Sequence, residues 1–237
     1  MGDTVLSLKG VNGWYGESHV LHGVDLDVRR SEVISLIGRN GAGRTTILRA
    51  IMGLLDRRDG VLEVRGRDMS STPAYRIARA GLGYCPEERG IFSSLTCEEN
   101  LMLPPVTRTD GGMAMSLDEI YAMFPNLKER AQSPGTRLSG GEQQMLAIAR
   151  ILRTGADILL LDEISEGLAP VIVQTLARVI QDLKARGFTI VMVEQNFRFA
   201  APLADRFFII EHGRVVETIE QSDLDARADD IRTYLGV

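Results

Sequence analysis

The sequence predicts an α/β protein: a mostly parallel sheet with helices on both faces and a helical lobe inserted in the middle. Three observations predict it. Short apolar stretches of strand length, EVISLIG, ADILLLDE and FTIVMVE, alternate with runs whose apolar residues recur at helical spacing. A glycine-rich loop, GRNGAGRTT from Gly38 to Thr46, joins the first of these strands to a helical run. From about Glu87 to Arg153 the strand pattern gives way to helical segments with irregular breaks.

The first third reads as strands, LSLKGVNGWYG and GVDLDV, cut by glycines. EVISLIG then runs into the glycine loop, and RTTILRAIMGLL carries a helix that Gly53 ends. GVLEVRG is a further strand. In the middle, Thr96 with Glu99 and Ser116 with Glu119 have capping-box spacing and predict helix starts, whereas PPVTRTDGG and QSPGTR read as loops. The last third alternates again. ADILLLDE is a buried strand, PVIVQTLARVIQDLKARG a helix closed by Gly187, FTIVMVE a strand and NFRFAAPLAD a short helix. RFFIIEHGRVVETIE predicts a hairpin turning at His212-Gly213. The division expected is an α/β core over 1–86 and 155–237 and a helical lobe over about 87–154, within one domain spanning 1–237.

Composition narrows the function classes. The 237 residues carry a net charge of −5, which argues against a uniformly basic nucleic-acid binder. The two cysteines, Cys85 and Cys97, have neither CxxC nor zinc-knuckle spacing and point to a reduced chain; His19, His22 and His212 form no ligand motif. The opening MGDTVLSLKG lacks the apolar core of a signal peptide, and DILLL and TIVMV are far too short to span a bilayer. Any membrane role is expected to come through partners.

Three segments carry chemistry. Gly38, Gly41 and Gly43 allow a tight turn and close approach to a phosphate, and the helix that follows aims its N-terminus at the same anion. Thr45 stands where a hydroxyl would hold Mg²⁺, and Arg44 stands where the pattern has lysine. On these residues alone a plain strand–turn–helix connection stays open. The strand in ILLLDEISEG ends in Asp162 and Glu163, one carboxylate for a metal and one for orienting or deprotonating an attacking water. LSGGEQQ puts Ser139, Gly140 and Gly141 before a helical run, a second anion nest. Two phosphate cradles in one chain point to a composite site, each nucleotide lying between the glycine loop of one subunit and the serine-glycine nest of another.

With these motifs the chain resembles, over essentially its whole length, the ATP-binding subunit of ABC transporters. LSGGEQQ is similar to the family signature and LLLDE to its Walker B strand. SEGLAP and VEQN resemble the smaller ATPase subunit of the branched-chain amino acid importers, with urea and amide importers as near relatives. The resemblance implies a P-loop NTPase core with an N-terminal antiparallel β region. It implies ATP and Mg²⁺ as cofactors and ATP hydrolysis coupled to uptake of branched-chain amino acids or similar small polar solutes. It places the nucleotide on Tyr15, Gly38, Asn40, Gly41, Ala42, Gly43, Arg44, Thr45 and Thr46, with Ser139, Gly140 and Gly141 completing a partner's site. Thr45, Glu87 and Asp162 are the implied metal residues, and Glu163 and Gln195 the implied catalytic ones. Transmembrane permease subunits, a second ATPase subunit (a homodimer being the alternative) and, indirectly, an extracytoplasmic solute-binding protein are the implied partners, at the cytoplasmic face of the membrane. The segment ERGIFSSLTCEENL is the implied permease contact.

Four positions depart from the ABC pattern. Arg44 keeps the charge of the loop lysine but changes its geometry. Glu87 stands for the Q-loop glutamine, with Glu88 as the adjacent alternative. Gln195 stands where many members have the switch histidine and cannot become a cation. Ile164 follows Glu163 where proline is usual, so a looser turn at Glu163 is expected. Together, Arg44, Glu87 and Ile164 lead to the expectation of a site slower than the one this chain's LSGG completes on a partner. A nucleotide-binding subunit of weak catalysis is the alternative reading.

Overall fold

A computed structural model describes residues 3–106, 113–224, 226–227, 231 and 234. Most of the predicted loop PPVTRTDGG, residues 107–112, lies outside them.

Two sheets organise the chain. Strands β1 (Thr4–Tyr15), β2 (Ser18–Arg29), β4 (Arg57–Val64) and β5 (Arg67–Asp68) form an antiparallel sheet in the order β2-β1-β4-β5. Strands β3 (Val33–Ile37), β6 (Leu82–Cys85), β7 (Ile158–Asp162), β8 (Thr189–Val193), β9 (Arg206–Glu211) and β10 (Arg214–Glu220) form the second, in the order β10-β9-β3-β8-β7-β6. Within it β9, β3, β8, β7 and β6 run parallel, and only β10 is antiparallel. Short strands with every residue buried, as in β3, β7 and β8, are what a parallel sheet covered on both faces requires.

The period-2 geometry of these strands sorts their side chains into two apolar clusters. Ile34, Leu36, Leu160, Val191 and Val193 pack toward α1 (Arg44–Met52), α2 (Ala74–Arg79) and the antiparallel sheet. Val33, Ile37, Leu159, Leu161, Ile190 and Met192 face the other way, toward the helices inserted after β6 and toward α7 (Pro170–Ala185). The inserted helices are α3 (Cys97–Met102), α4 (Leu117–Met123), α5 (Pro125–Glu129) and α6 (Gly140–Arg153). Their Leu101, Ile120, Leu127 and Met145, with Phe124 between α4 and α5, join the same cluster as the sheet, so the insertion is anchored through a shared core.

Local sequence explains the helix ends. Thr96 and Ser116 each accept from the backbone N–H three residues on, and Glu99 and Glu119 reach back to the cap N–H, the predicted capping boxes. Gly53 closes α1 in the left-handed conformation (φ 69°). α2 and β6 were not separated by the sequence pattern. At six and four residues they are too short to show a period above their loop-like surroundings.

The predicted hairpin β9–β10 turns at His212 and Gly213, both at positive φ (47° and 71°), the two-residue turn that suits strand twist. This turn braces the glycine loop: the Gly213 N–H donates to the Ala42 carbonyl at 2.8 Å, and the Gly213 carbonyl accepts from His22 at 2.9 Å. A Cβ at Gly213 would lie 1.8 Å from the Val20 carbonyl oxygen, so only glycine allows the approach.

Candidate functional site

In an open parallel sheet, loops at the carboxyl ends of the strands converge on one edge, where ligands bind. Here that edge receives the glycine loop after β3, Glu87 after β6, Asp162 and Glu163 at the end of β7, and Glu194 after β8. Strand β8 lies between β3 and β7, which spaces the loop and the acidic pair across one strand.

The loop itself is held by backbone geometry. A Cβ on Gly38 would fall 2.3 Å from the Ile210 carbonyl oxygen. Gly43 caps α1 at φ 105° and contributes no side-chain hydrogen bond, so no side chain caps the first N–H groups of α1. Such N–H groups, with the helix dipole behind them, attract an anion. A cavity of about 430 Å³ opens there, lined by Val20, Asn40, Gly41, Gly43, Arg44, Thr45, Thr46, Glu87, Glu163 and Glu166.

Arg44 turns away from solvent, only 4% exposed, and bonds to three elements at once. It donates to the Glu194 carbonyl (2.8 Å), to Asn40 Oδ1 (3.1 Å) and to Glu163 Oε1 (2.9 Å). Its neighbour Thr45 donates to Asp162 Oδ1 at 2.9 Å, and Tyr84 donates to Asp162 Oδ2 at 3.0 Å. Burial raises the Asp162 pKa against these hydrogen bonds.

Glu163 sits at φ 48°, a left-handed conformation that glutamate adopts only under constraint. Its N–H donates to the Val193 carbonyl at 2.9 Å, and Ile164 behind it is fully buried in the sheet's core. The loosened turn expected from the missing proline is therefore replaced by a turn pinned through apolar burial. Burial, reinforced by the Glu166 carboxyl beside it, pushes Glu163 up to about 7, while Arg44 pulls the other way. That places its proton exchange near neutrality, suited to a general base.

Oxygens of Glu87, Glu163 and Glu166 all lie within 4.8 Å of one another. Glu87 lines the cavity, whereas Glu88 pairs with Arg49 at 3.7 Å, which separates the two alternatives geometrically. The three metal candidates thus divide: Thr45 and Asp162 touch each other, and Glu87 faces Glu163. Gln195 is exposed and shares with Glu163 a neighbouring cavity of about 870 Å³.

Tyr15 ends β1 half-buried and is not among the described residues lining the loop's cavity; with Tyr84 it lies against Arg49, whose basicity the two hydroxyls raise. Ser139, Gly140 and Gly141 open α6 at a separate place. Ser139 caps it by accepting from Glu142, and Glu142 accepts from the Ser139 N–H at 2.7 Å. None of the three lines the loop's cavity within the single chain.

Sequence reasoning missed Tyr84, Glu166 and Glu194. Glu194 is 1% exposed; its carboxylate accepts from the Ser165 hydroxyl (2.7 Å) and N–H (3.2 Å), and burial pushes it up to about 7. The signal was present in VEQN, a carboxylate directly after a mostly apolar run of strand length. Tyr84 carried no comparable signal.

The model of the ABC transporter family matches residues 21–166. BraG of Pseudomonas aeruginosa, a high-affinity branched-chain amino acid transport ATP-binding protein, is 40% identical over 212 residues, 90% of this chain and 91% of its own. LptB of Haemophilus influenzae, a lipopolysaccharide export system ATP-binding protein, is 31% identical over 98% of both chains. Among solved structures, a dimeric bacterial ABC transporter cassette superposes with a TM-score of 0.80 at 25% identity, over 91% of this chain and 98% of its own.

Proposed function

The chain belongs to the ABC transporter family as an ATP-binding, ATP-hydrolysing subunit, and from that premise we propose that the cavity at the glycine loop is the ATP site and that Glu163 is its general base. One observation carries the reading: the loop that would cradle the phosphates and Glu163, directly after β7, line the same cavity.

In this reading the α1 N–H groups and the loop backbone hold the β- and γ-phosphates, with Arg44 supplying positive charge. Tyr15, at the end of β1, stacks on the adenine. Glu163 takes a proton from the attacking water as its oxygen bonds to the γ-phosphorus; the bond to the bridging oxygen breaks, leaving ADP and inorganic phosphate. The hydroxyl of Thr45 and the carboxylates of Asp162 and Glu87 are hard oxygen donors of the kind Mg²⁺ takes, and the Thr45–Asp162 contact brings two of them together. When bound, Mg²⁺ would neutralise charge developing on the phosphates. Gln195 would orient the γ-phosphate by hydrogen bonding. Ser139, Gly140 and Gly141 would close the site of a second ATPase subunit.

As an ABC ATP-binding subunit the chain is peripheral at the cytoplasmic face of the membrane and works with transmembrane permease components. No helix among the described residues is long and apolar enough to cross a membrane. A groove of about 450 Å³, walled by Leu82, Cys85, Pro86, Ala147 and Ile151 and edged by Arg89 and Arg150, lies beside the segment ERGIFSSLTCEENL and is the proposed permease seat. The greater identity to BraG, with SEGLAP and VEQN, supports uptake of branched-chain amino acids or related small polar solutes, with an extracytoplasmic binding protein delivering them. The LptB relatives support export as the second reading.

The test is ATP hydrolysis by the assembled transporter with wild-type chain and with Glu163→Gln, followed by ATP-dependent uptake of labelled leucine. Loss of hydrolysis with retained ATP binding is expected. An active E163Q complex would remove Glu163 from the role, and hydrolysis without uptake would favour the second reading.

A further inference from the structure

We infer that Arg44 is a positioning residue that holds the Glu163 carboxylate in reserve, so that the terminal phosphates of ATP compete with Glu163 for one guanidinium. The inference rests on the loop cavity being the ATP site and concerns how that site is regulated.

An arginine Nη carries two N–H bonds. Arg44 Nη2 donates one to Asn40 Oδ1 at 3.1 Å and the other to Glu163 Oε1 at 2.9 Å, so both are used. Nη1 gives one of its two N–H bonds to the Glu194 carbonyl at 2.8 Å. The guanidinium therefore joins the loop, the end of β7 and the turn after β8 in one buried fork. Lysine, with a single compact ammonium on a flexible stem, offers no planar fork to span those three elements. A phosphate oxygen arriving at Nη2 must displace Asn40 or Glu163. Asn40 belongs to the loop that wraps the anion, whereas Glu163 comes from another strand.

The carboxylate has little other freedom. The Glu163 backbone is pinned at φ 48° by its bond to Val193 and by buried Ile164, so its release is a side-chain rotation. While tied to Arg44, Glu163 Oε1 gives a lone pair to the guanidinium instead of to water. Phosphate binding then performs two acts at once: it occupies the cation and frees the base.

The experiment is a double-mutant cycle on nucleotide affinity in the full chain, read with a fluorescent ATP analogue, using wild type, Arg44→Lys, Glu163→Gln and the double variant. Replacing the competing carboxylate should tighten binding about tenfold when Arg44 is present and less than about twofold in the Arg44→Lys background. Repulsion between Glu163 and the γ-phosphate is common to both backgrounds and cancels in the ratio. Equal effects of Glu163→Gln in both backgrounds would overturn the inference while leaving the ATP site in place. Failure of all four proteins to bind the analogue would overturn the site reading itself, and this inference with it. If Arg44→Lys does not fold, Arg44→Gln takes its place with the same expected loss of coupling.

Discussion

Arg44 and Glu163, separated by 119 positions in the chain, meet at 2.9 Å with side chains only 4% and 12% exposed. The buried cation of the glycine loop and the carboxylate directly after β7 are thus partners. Charge pairs withdrawn from water this far are strongly coupled, and removing one member leaves the other uncompensated.

That relationship sets the first prediction. Glu163→Gln in the assembled complex should lower the ATP hydrolysis rate by roughly 10²–10⁴-fold, the range for losing a general base. Equilibrium binding of the fluorescent ATP analogue should persist, tightened about tenfold as the competition for Arg44 requires. Parallel loss of binding and turnover would mean that Glu163 supports the fold of the site and not the chemistry.

Glu194 predicts a pH dependence of stability. Its pKa is raised from 4.5 to about 7, chiefly by burial, so the folded state holds its proton where the unfolded state releases it. Stability must therefore fall as pH rises between about 4.5 and 7, by on the order of 3 kcal/mol for a shift of this size. Glu194→Gln keeps the shape and an acceptor for Ser165 but cannot ionise. Urea denaturation should show the variant gaining stability relative to wild type between pH 5 and pH 8; a pH-independent difference would contradict the assignment.

Ser139 separates folding from pairing. Its hydroxyl caps α6, so Ser139→Ala should cost about 1 kcal/mol, measured by thermal denaturation of the isolated chain. Ser139→Asp preserves a capping oxygen yet places a negative charge where a partner's γ-phosphate would sit. It should melt within a few degrees of wild type while ATP-induced association with the partner ATPase, followed by analytical ultracentrifugation, is lost. Unimpaired association would argue against the composite site.

Arg206 offers a purely structural test. Only 4% exposed, it donates to the Glu32 carboxylate twice (2.6 and 3.0 Å) and to Asp27 three times, twice to the carboxylate (3.0 and 3.4 Å) and once to the backbone carbonyl (2.8 Å), tying β2 and the turn after it to the start of β9. Glu32→Ala strips the buried guanidinium of the buried one of its two carboxylate partners and should destabilise the chain by about 3–5 kcal/mol in guanidinium chloride titration. A loss under about 1 kcal/mol would show that Asp27 alone satisfies the arginine.

Much of this molecule was legible because its signals are local. EVISLIG, ILLLD and TIVMV are short, mostly apolar runs, and such runs make strands buried on both faces. Thr96, Ser116 and Ser139 cap helices because their partners stand three residues away. The glycine loop announces itself because backbone conformation is written in glycine positions. By these means the sequence alone determined the α/β class, the strand–loop–helix unit, the acidic strand end and the His212-Gly213 hairpin. The tertiary structure decided what depends on distance across the sheet. It turned Arg44 inward to Glu163, set Tyr84 on Asp162, drew Glu166 to Glu163 and clamped Ser165 with Glu194. It also put Glu87, not Glu88, on the cavity and placed β8 between β3 and β7. Those outcomes follow from the order in which parallel strands assemble, and no short-range pattern encodes that order: it is selected by the burial of two whole faces at once.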